Sequence, residues 1–244
     1  MSVPLPESGR SISFAADVEP ELFERNVSQL EGVPGLTSVK IGFEVGLGLS
    51  LRDAVKVVHG SGLSAVYDHQ KGGNDIPGTG KNFARAMERA GVDAAILFPF
   101  AGPVTQEQWT RDLMDSGIRV ISGAEMTHEG IQASDDGQTG GYVNGAAFRR
   151  MFALAASLGV RDFVVPGNKP DRVAAYKEFF DREIGAGNYS LWAPGFLTQG
   201  GDISETGAVA GPNFNAIVGS GIYGAEDPRA AAQLLGQKIL ALNA

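Results

Sequence analysis

Eight short apolar runs recur along the chain, and longer segments with helical spacing separate most of them. The runs are Ile12–Ala16, Ser38–Phe43, Ala65–Asp68, Ala94–Phe98, Arg119–Ala124, Asp162–Val165, Ser190–Ala193 and Ala216–Val218. Most are nearly continuous in Val, Ile, Ala or Phe rather than alternating. That pattern belongs to parallel strands covered on both faces. The amphipathic segments are Pro20–Leu30, Leu51–His59, Lys81–Ala90, Gln106–Asp115, Gly145–Leu158, Pro170–Ile184 and Pro228–Leu242. Several open on a helix-start signal such as Asp227–Pro228, and Gly62, Gly91, Gly117 and Gly159 stand where a left-handed residue ends a helix. Eight βα units without a Pro- or Ser-rich linker predict an α/β fold, a single (β/α)8 TIM barrel over residues 1–244. A doubly wound open sheet is the structural alternative.

Two stretches break the rhythm. His128–Tyr142 is polar and glycine-rich, and Gly200–Asn213 stands where a helix is expected between strands seven and eight. Both follow strands, on the face where barrels keep their chemistry, so active-face loops are expected at about 128–142 and 197–213 as candidate lids. Ordinary surface loop is the competing reading.

Composition narrows the function classes. A net charge of −8 disfavours nucleic acid, whose binding draws on Lys and Arg neutralising phosphates. The absence of cysteine excludes disulfides, thiolate metal sites and thiol nucleophiles. No apolar run approaches the ~18–20 residues of a membrane span, and the first residues carry no signal pattern; a cytoplasmic enzyme with no membrane partner is expected. There is no nicotinamide fingerprint, P-loop or serine elbow.

The densest chemistry is Asp68–His69–Gln70–Lys71–Gly72–Gly73–Asn74–Asp75–Ile76–Pro77 at the end of the third strand, with Lys40 on the neighbouring strand. Alternating acids and ammonium groups hold one another ionised. Such an array can set a proton donor beside a carbanion and present fixed negative charge to a departing carboxylate. Solvated surface ion pairs would look the same by spacing alone. Gln199–Gly200–Gly201–Asp202 and Gly219–Ser220–Gly221, after strands seven and eight, suit a phosphate cradle of backbone amides, or plain turns in a chain with 34 glycines. His59, His69 and His128 lack metal-ligand spacing, so no metal site is expected. Trp109 and Trp192 read as core.

Taken in order, Asp17, the VKIGFE stretch around Lys40, DHQKGGNDIP, EMTHEG, PGNKPDRV, APGFLTQGGD and IVGSGIYGAEDPRAAA resemble the orotidine 5′-monophosphate decarboxylase family over nearly the whole chain. The resemblance implies cofactor-free decarboxylation of a nucleotide substrate in a homodimer. Lys71 would protonate C6 of the carbanion, and Lys40, Asp68 and Asp75 would complete the charged network. Asp75 and Ile76 would reach into the partner subunit's site. Asp17 would contact the ribose, Thr127 the pyrimidine edge, Pro194 the region beside the base, and Gln199 the phosphate. Thr79, Gly200, Gly219 and Ser220 would join the substrate contacts.

Two departures stand out. The family pattern Asp-x-Lys-x-x-Asp is here Asp68-x-x-Lys71-x-x-x-Asp75, so the backbone must leave the strand just after Asp68, where Gly72–Gly73 supplies the freedom. Ser220 stands where the family generally carries a phosphate-binding arginine, leaving the amides of Gly219 and Gly221 to compensate. A magnesium-dependent sugar-phosphate decarboxylase or aldolase, with Glu44 as the available carboxylate beyond Lys40, is one rival. A nucleotide-binding relative without catalysis is another.

Overall fold

A computed structural model describes residues 5–69, 72–134 and 136–242. Its eight strands are β1 (Arg10–Ala16), β2 (Leu36–Ile41), β3 (Ser64–Tyr67), β4 (Ala94–Leu97), β5 (Arg119–Gly123), β6 (Asp162–Val164), β7 (Ser190–Ala193) and β8 (Phe214–Val218). They form a closed barrel in sequence order, and every neighbouring pair is parallel. Closure comes from β1 against β8, with Arg10 opposite Phe214 and Phe14 opposite Val218. The open-sheet alternative is thereby excluded.

Among the described residues ten α-helices surround it: α1 (Pro20–Ser28), α2 (Phe43–Gly48), α3 (Leu51–Gly60), α4 (Gly80–Ala90), α5 (Pro103–Asp115), α6 (Gly145–Ser157), α7 (Pro170–Glu183), α8 (Ile203–Ala210), α9 (Ser220–Tyr223) and α10 (Pro228–Ala241). Proline occupies the first turn of α1, α5, α7 and α10, where its missing N–H costs nothing. Side chains of Ser50, Asn144, Asp202 and Asp227 accept from the first amides of α3, α6, α8 and α10.

Strand parity divides the apolar residues into two cores. Ile12, Phe14, Val39, Ile41, Ala65, Phe163, Leu191 and Phe214 point outward and pack under the helices. Ala15, Val66, Ile96, Ile121, Val164, Trp192 and Ile217 point inward and fill the barrel. Both tryptophans are buried, as expected.

The bottom of the barrel is closed by charge. Arg119 Nε and Nη2 donate to Asp162 at 2.6 and 2.7 Å, and Trp192 Nε1 donates to the same carboxylate at 2.9 Å. Arg119 Nη1 also reaches the carbonyls of Leu5 and Pro6. His59, on α3, pairs with Asp93 at 2.7 Å, far from any loop that follows a strand.

Expectation and structure differ in two places and agree in a third. Residues 200–213 are not all loop, because α8 occupies most of them. Its low polarity and four small residues hid it, and Asp202 supplies its N-cap. Short helices α2 and α9 follow β2 and β8 directly; the apolar run Ser38–Phe43 therefore ends as a strand at Ile41. His128–Tyr142 does lack helix and named strand among its described residues. It is pinned by backbone bonds such as Ala133 N–H to Val143 O (2.9 Å) and Gly141 N–H to Gln132 O (2.8 Å).

Candidate active site

At the top of the barrel the inward parity continues in polar residues. On β2, Val39 and Ile41 face the helices, so Lys40 is driven inward, with 6% of its surface exposed. On β3, Val66 faces inward, and Asp68, two residues on, shares that face and is buried. The Asp68 amide still donates to Ile41 O at 2.9 Å, one step beyond the strand's last residue. Lys40 Nζ sits 3.2 Å from Asp68 Oδ2 and 3.2 Å from Asp17 Oδ1, Asp17 lying just past β1. Burial alone would lower the Lys40 pKa, but the two carboxylates outweigh it and the net direction is upward. Lys40 is therefore an ammonium throughout the neutral range.

Past His69 the chain turns back at Gly72–Gly73. Gly73 is left-handed (φ 87°), and a Cβ on Gly72 would lie 2.9 Å from the Ile96 carbonyl. The Gly72 carbonyl accepts from Phe98 N–H at 2.9 Å, tying the turn to the end of β4. The named strand ends at Tyr67, with Asp68 still bonded to β2 through its amide; the stretch of the Asp68–Lys71 spacing that holds Gln70 and Lys71 lies outside the described residues.

A cavity of about 370 Å³ opens above this layer. That volume is in the range of small-ligand sites. Asp17, Lys40, Asp68, Thr127, Pro194, Gln199, Gly219 and Ser220 all line it, so eight residues scattered from position 17 to 220 converge. His128 also lines it, whereas His69 turns aside and bonds the Tyr67 hydroxyl at 2.6 Å.

Four candidates do not line the cavity. Asp75 and Ile76 are exposed on the surface, with Thr79 in the single turn Pro77–Thr79 beside them. Helix α5 braces this loop from one face: Thr105 donates to Asp75 O (2.9 Å) and Trp109 Nε1 to Ile76 O (3.1 Å). Gly200 closes the turn Leu197–Gln199 instead, its N–H donating to Leu197 O at 2.9 Å. That turn contains Leu197, a non-glycine residue held at φ 63° and half exposed, beside the cavity. Gly221 packs directly against the Leu197 side chain, so the loops after β7 and β8 are in close contact there.

Glu125, two residues beyond β5, was not singled out in the sequence. Its carboxylate is buried yet lines the cavity. Arg172 Nε and Nη2 donate to its Oε2 at 2.9 and 2.6 Å, and the Tyr176 hydroxyl donates at 2.6 Å. Lys169 Nζ lies 3.4 Å from Oε1. Burial would raise the Glu125 pKa, but these partners reverse it and hold the carboxyl below its ordinary range. The same burial and the Glu125 charge push the Tyr176 phenol upward. EMTHEG and PGNKPDRV were visible as stretches, but nothing in their spacing shows that Glu125 meets Arg172.

A larger concavity of about 570 Å³ lies at the opposite end, lined by Arg119, Asp162 and Tyr189 among others. Arg119 and Asp162 there neutralise one another, and the concavity faces the strand starts rather than the loops that carry chemistry in barrels.

Comparison with known proteins points the same way. A family model described as Orotidine 5′-phosphate decarboxylase / HUMPS family matches residues 35–235. The orotidine 5′-phosphate decarboxylase of Thermococcus kodakarensis is 28% identical over 205 residues, 84% of this chain and 85% of that protein. Its counterpart in Methanosarcina barkeri is 31% identical over 169 residues, 68% and 67% of the two chains. Among solved structures, orotidine 5′-monophosphate decarboxylase from Methanocaldococcus jannaschii complexed with inhibitor BMP aligns with a TM-score of 0.79. At 19% identity, over 95% of this chain and 99% of that one, this likeness is one of fold.

Proposed function

The chain belongs to the orotidine 5′-phosphate decarboxylase / HUMPS family, and from that premise we propose that it converts orotidine 5′-monophosphate to uridine 5′-monophosphate, a step of pyrimidine biosynthesis. The observation that carries the reading is the Asp17–Lys40–Asp68 array lining the cavity, in which Lys40 and Asp68 are buried and Asp17 stands exposed at its edge.

In this reading the C6 carboxylate of the substrate lies beside Asp68. The C6–carboxylate bond breaks, CO₂ departs, and the electron pair stays on C6. The Lys71 ammonium then delivers a proton to C6, leaving uridine monophosphate and a neutral lysine that is reprotonated from water. Fixed charges do this work without a metal or organic cofactor, because they act on charge that develops as the bond breaks. Asp17 addresses the ribose, Thr127 the pyrimidine edge and Pro194 the side of the base, with Thr79 a further substrate contact. Gln199, Ser220 and the backbone at Gly219 take the phosphate in place of the family's arginine; Gly200 shapes the turn that carries Gln199. A cytoplasmic location accords with this chemistry.

The magnesium-dependent rival fits the donor set poorly. Asp17 and Asp68 flank an ammonium that a divalent ion would have to displace, and Glu44 is exposed on α2, outside the cavity lining. Among the described residues no three His, Cys, Asp or Glu side chains are grouped to hold a metal.

The direct test is an ultraviolet assay of orotidine monophosphate turnover with EDTA present. EDTA-resistant conversion is the expected result. Binding of the nucleotide without conversion would point to the non-catalytic relative, and conversion abolished by EDTA to the rival.

The proposed assembly is a homodimer in which Asp75 and Ile76 complete the partner's site. Their exposure, and their absence from the cavity of their own subunit, support it. Mixing inactive Lys71→Ala and Asp75→Ala subunits should restore part of the wild-type activity, since some hybrid sites then carry both groups. No recovery above either parent would count against shared sites.

A further inference from the structure

We propose that Glu125 is a positioning residue that sets Thr127 against the base of the substrate, an inference that rests on the decarboxylase reading above. Three consecutive residues after β5 are each tied to the segment that follows β6. Glu125 takes Arg172 and Tyr176 on one oxygen, at 2.6 to 2.9 Å, and Lys169 on the other. The Met126 carbonyl accepts from Lys169 Nζ at 3.3 Å. The Thr127 carbonyl accepts from Asn168 Nδ2 at 3.3 Å. The rungs run in opposite directions, 125 to 172, 126 to 169 and 127 to 168, so the two segments are clipped together side by side.

Glu125 is the strong rung. Its bonds to Arg172 and Tyr176 are short and charge-assisted, while those at Met126 and Thr127 are long. A buried ion cluster is weak evidence for stability, because apolar side chains of similar volume often serve as well. What it does confer is register: Arg172 binds in one geometry, through two nitrogens. Thr127, on the cavity wall two residues later, inherits that register. Gly195 completes the fit on the other side, since a Cβ there would lie 2.9 Å from the Thr127 methyl.

The test is a double-mutant cycle read in kcat and KM for orotidine monophosphate. Glu125→Gln keeps the side chain's shape and removes its charge. Asn168→Ala removes the last rung with no buried charge left behind, and stands in if Glu125→Gln fails to fold. Each is expected to lower kcat/KM by roughly 10- to 10²-fold, the cost of a misplacement of order 1 Å. In a Thr127→Ala background each should cost less than twofold, because the residue being positioned is gone. Glu125→Asp, which keeps the charge on a shorter arm, should recover part of the loss. Additive losses in an active enzyme, or losses that only track the melting temperature, would overturn the positioning role alone. A wild-type chain inert toward orotidine monophosphate would overturn the activity reading and this inference with it.

Discussion

Lys71→Ala is expected to abolish decarboxylation while retaining the fold, whereas Lys40→Ala is expected to lose activity and stability together. A positioned proton donor contributes ~10²–10⁴-fold to a rate. In the proposed reaction Lys71 is the donor that C6 needs once CO₂ has left, so its loss should reach the upper end of that range or pass below detection. Lys40 has a different part, structural as well as electrostatic. Its ammonium lies 3.2 Å from both Asp17 and Asp68, and Asp68 is buried. Removing one partner of a buried pair costs about 3–5 kcal/mol where water cannot enter. The cavity above Asp68 admits water, so this is an upper bound. Without the ammonium the Asp68 side chain also loses the partner that holds it where it is proposed to act on the substrate carboxylate, so kcat should fall as well. Steady-state kinetics and thermal melts of the two variants decide it. Near-normal turnover in Lys71→Ala would remove that residue from the mechanism; an unchanged melt in Lys40→Ala would mean that Asp68 is solvated well enough to do without it.

Asp162→Ala, at the other end of the barrel, should do the reverse and lower stability without touching the chemistry. The Asp162 carboxylate accepts two bonds from Arg119 and one from Trp192, and its side chain is only 4% exposed. Its loss leaves the Arg119 charge half-buried and the Trp192 N–H without this acceptor. About 3–5 kcal/mol is expected. At ~2–4 °C per kcal/mol for a chain approaching this size, the midpoint should fall by roughly 6–20 °C. Residues at the strand starts of a barrel serve stability and those at the strand ends serve catalysis, so kcat at a permissive temperature should stay within about twofold. A melt unchanged by the substitution would show the ion pair to be neutral on balance. A collapse of kcat with an intact melt would show that the two ends are coupled.

The eight strands were legible because parallel strands buried on both faces must be apolar nearly throughout, and helices between them must be long and amphipathic. Their ends were less so. Phe43 extends the apolar run of β2 in composition, yet it begins α2 and is largely exposed. Helix α8 was missed because its small residues give it little amphipathic contrast. At the site, parity was informative: Lys40 stands at an inward position of β2, and Asp68 continues the inward parity of β3 one step past its end.

The amino-acid order by itself determined the barrel, the strands that carry the charged array, and the loops in which the remaining candidates lie. These follow from local rules of periodicity, parity and turn chemistry, which act over a few residues. Only the tertiary structure decided which of those candidates share one cavity: Asp17, Thr127, Pro194, Gln199 and Ser220 do, while Asp75, Ile76, Thr79 and Gly200 do not. It alone brought Glu125 to Arg172, 47 residues away. Such pairings depend on barrel closure and on the direction in which each loop leaves its strand, and no local pattern encodes either.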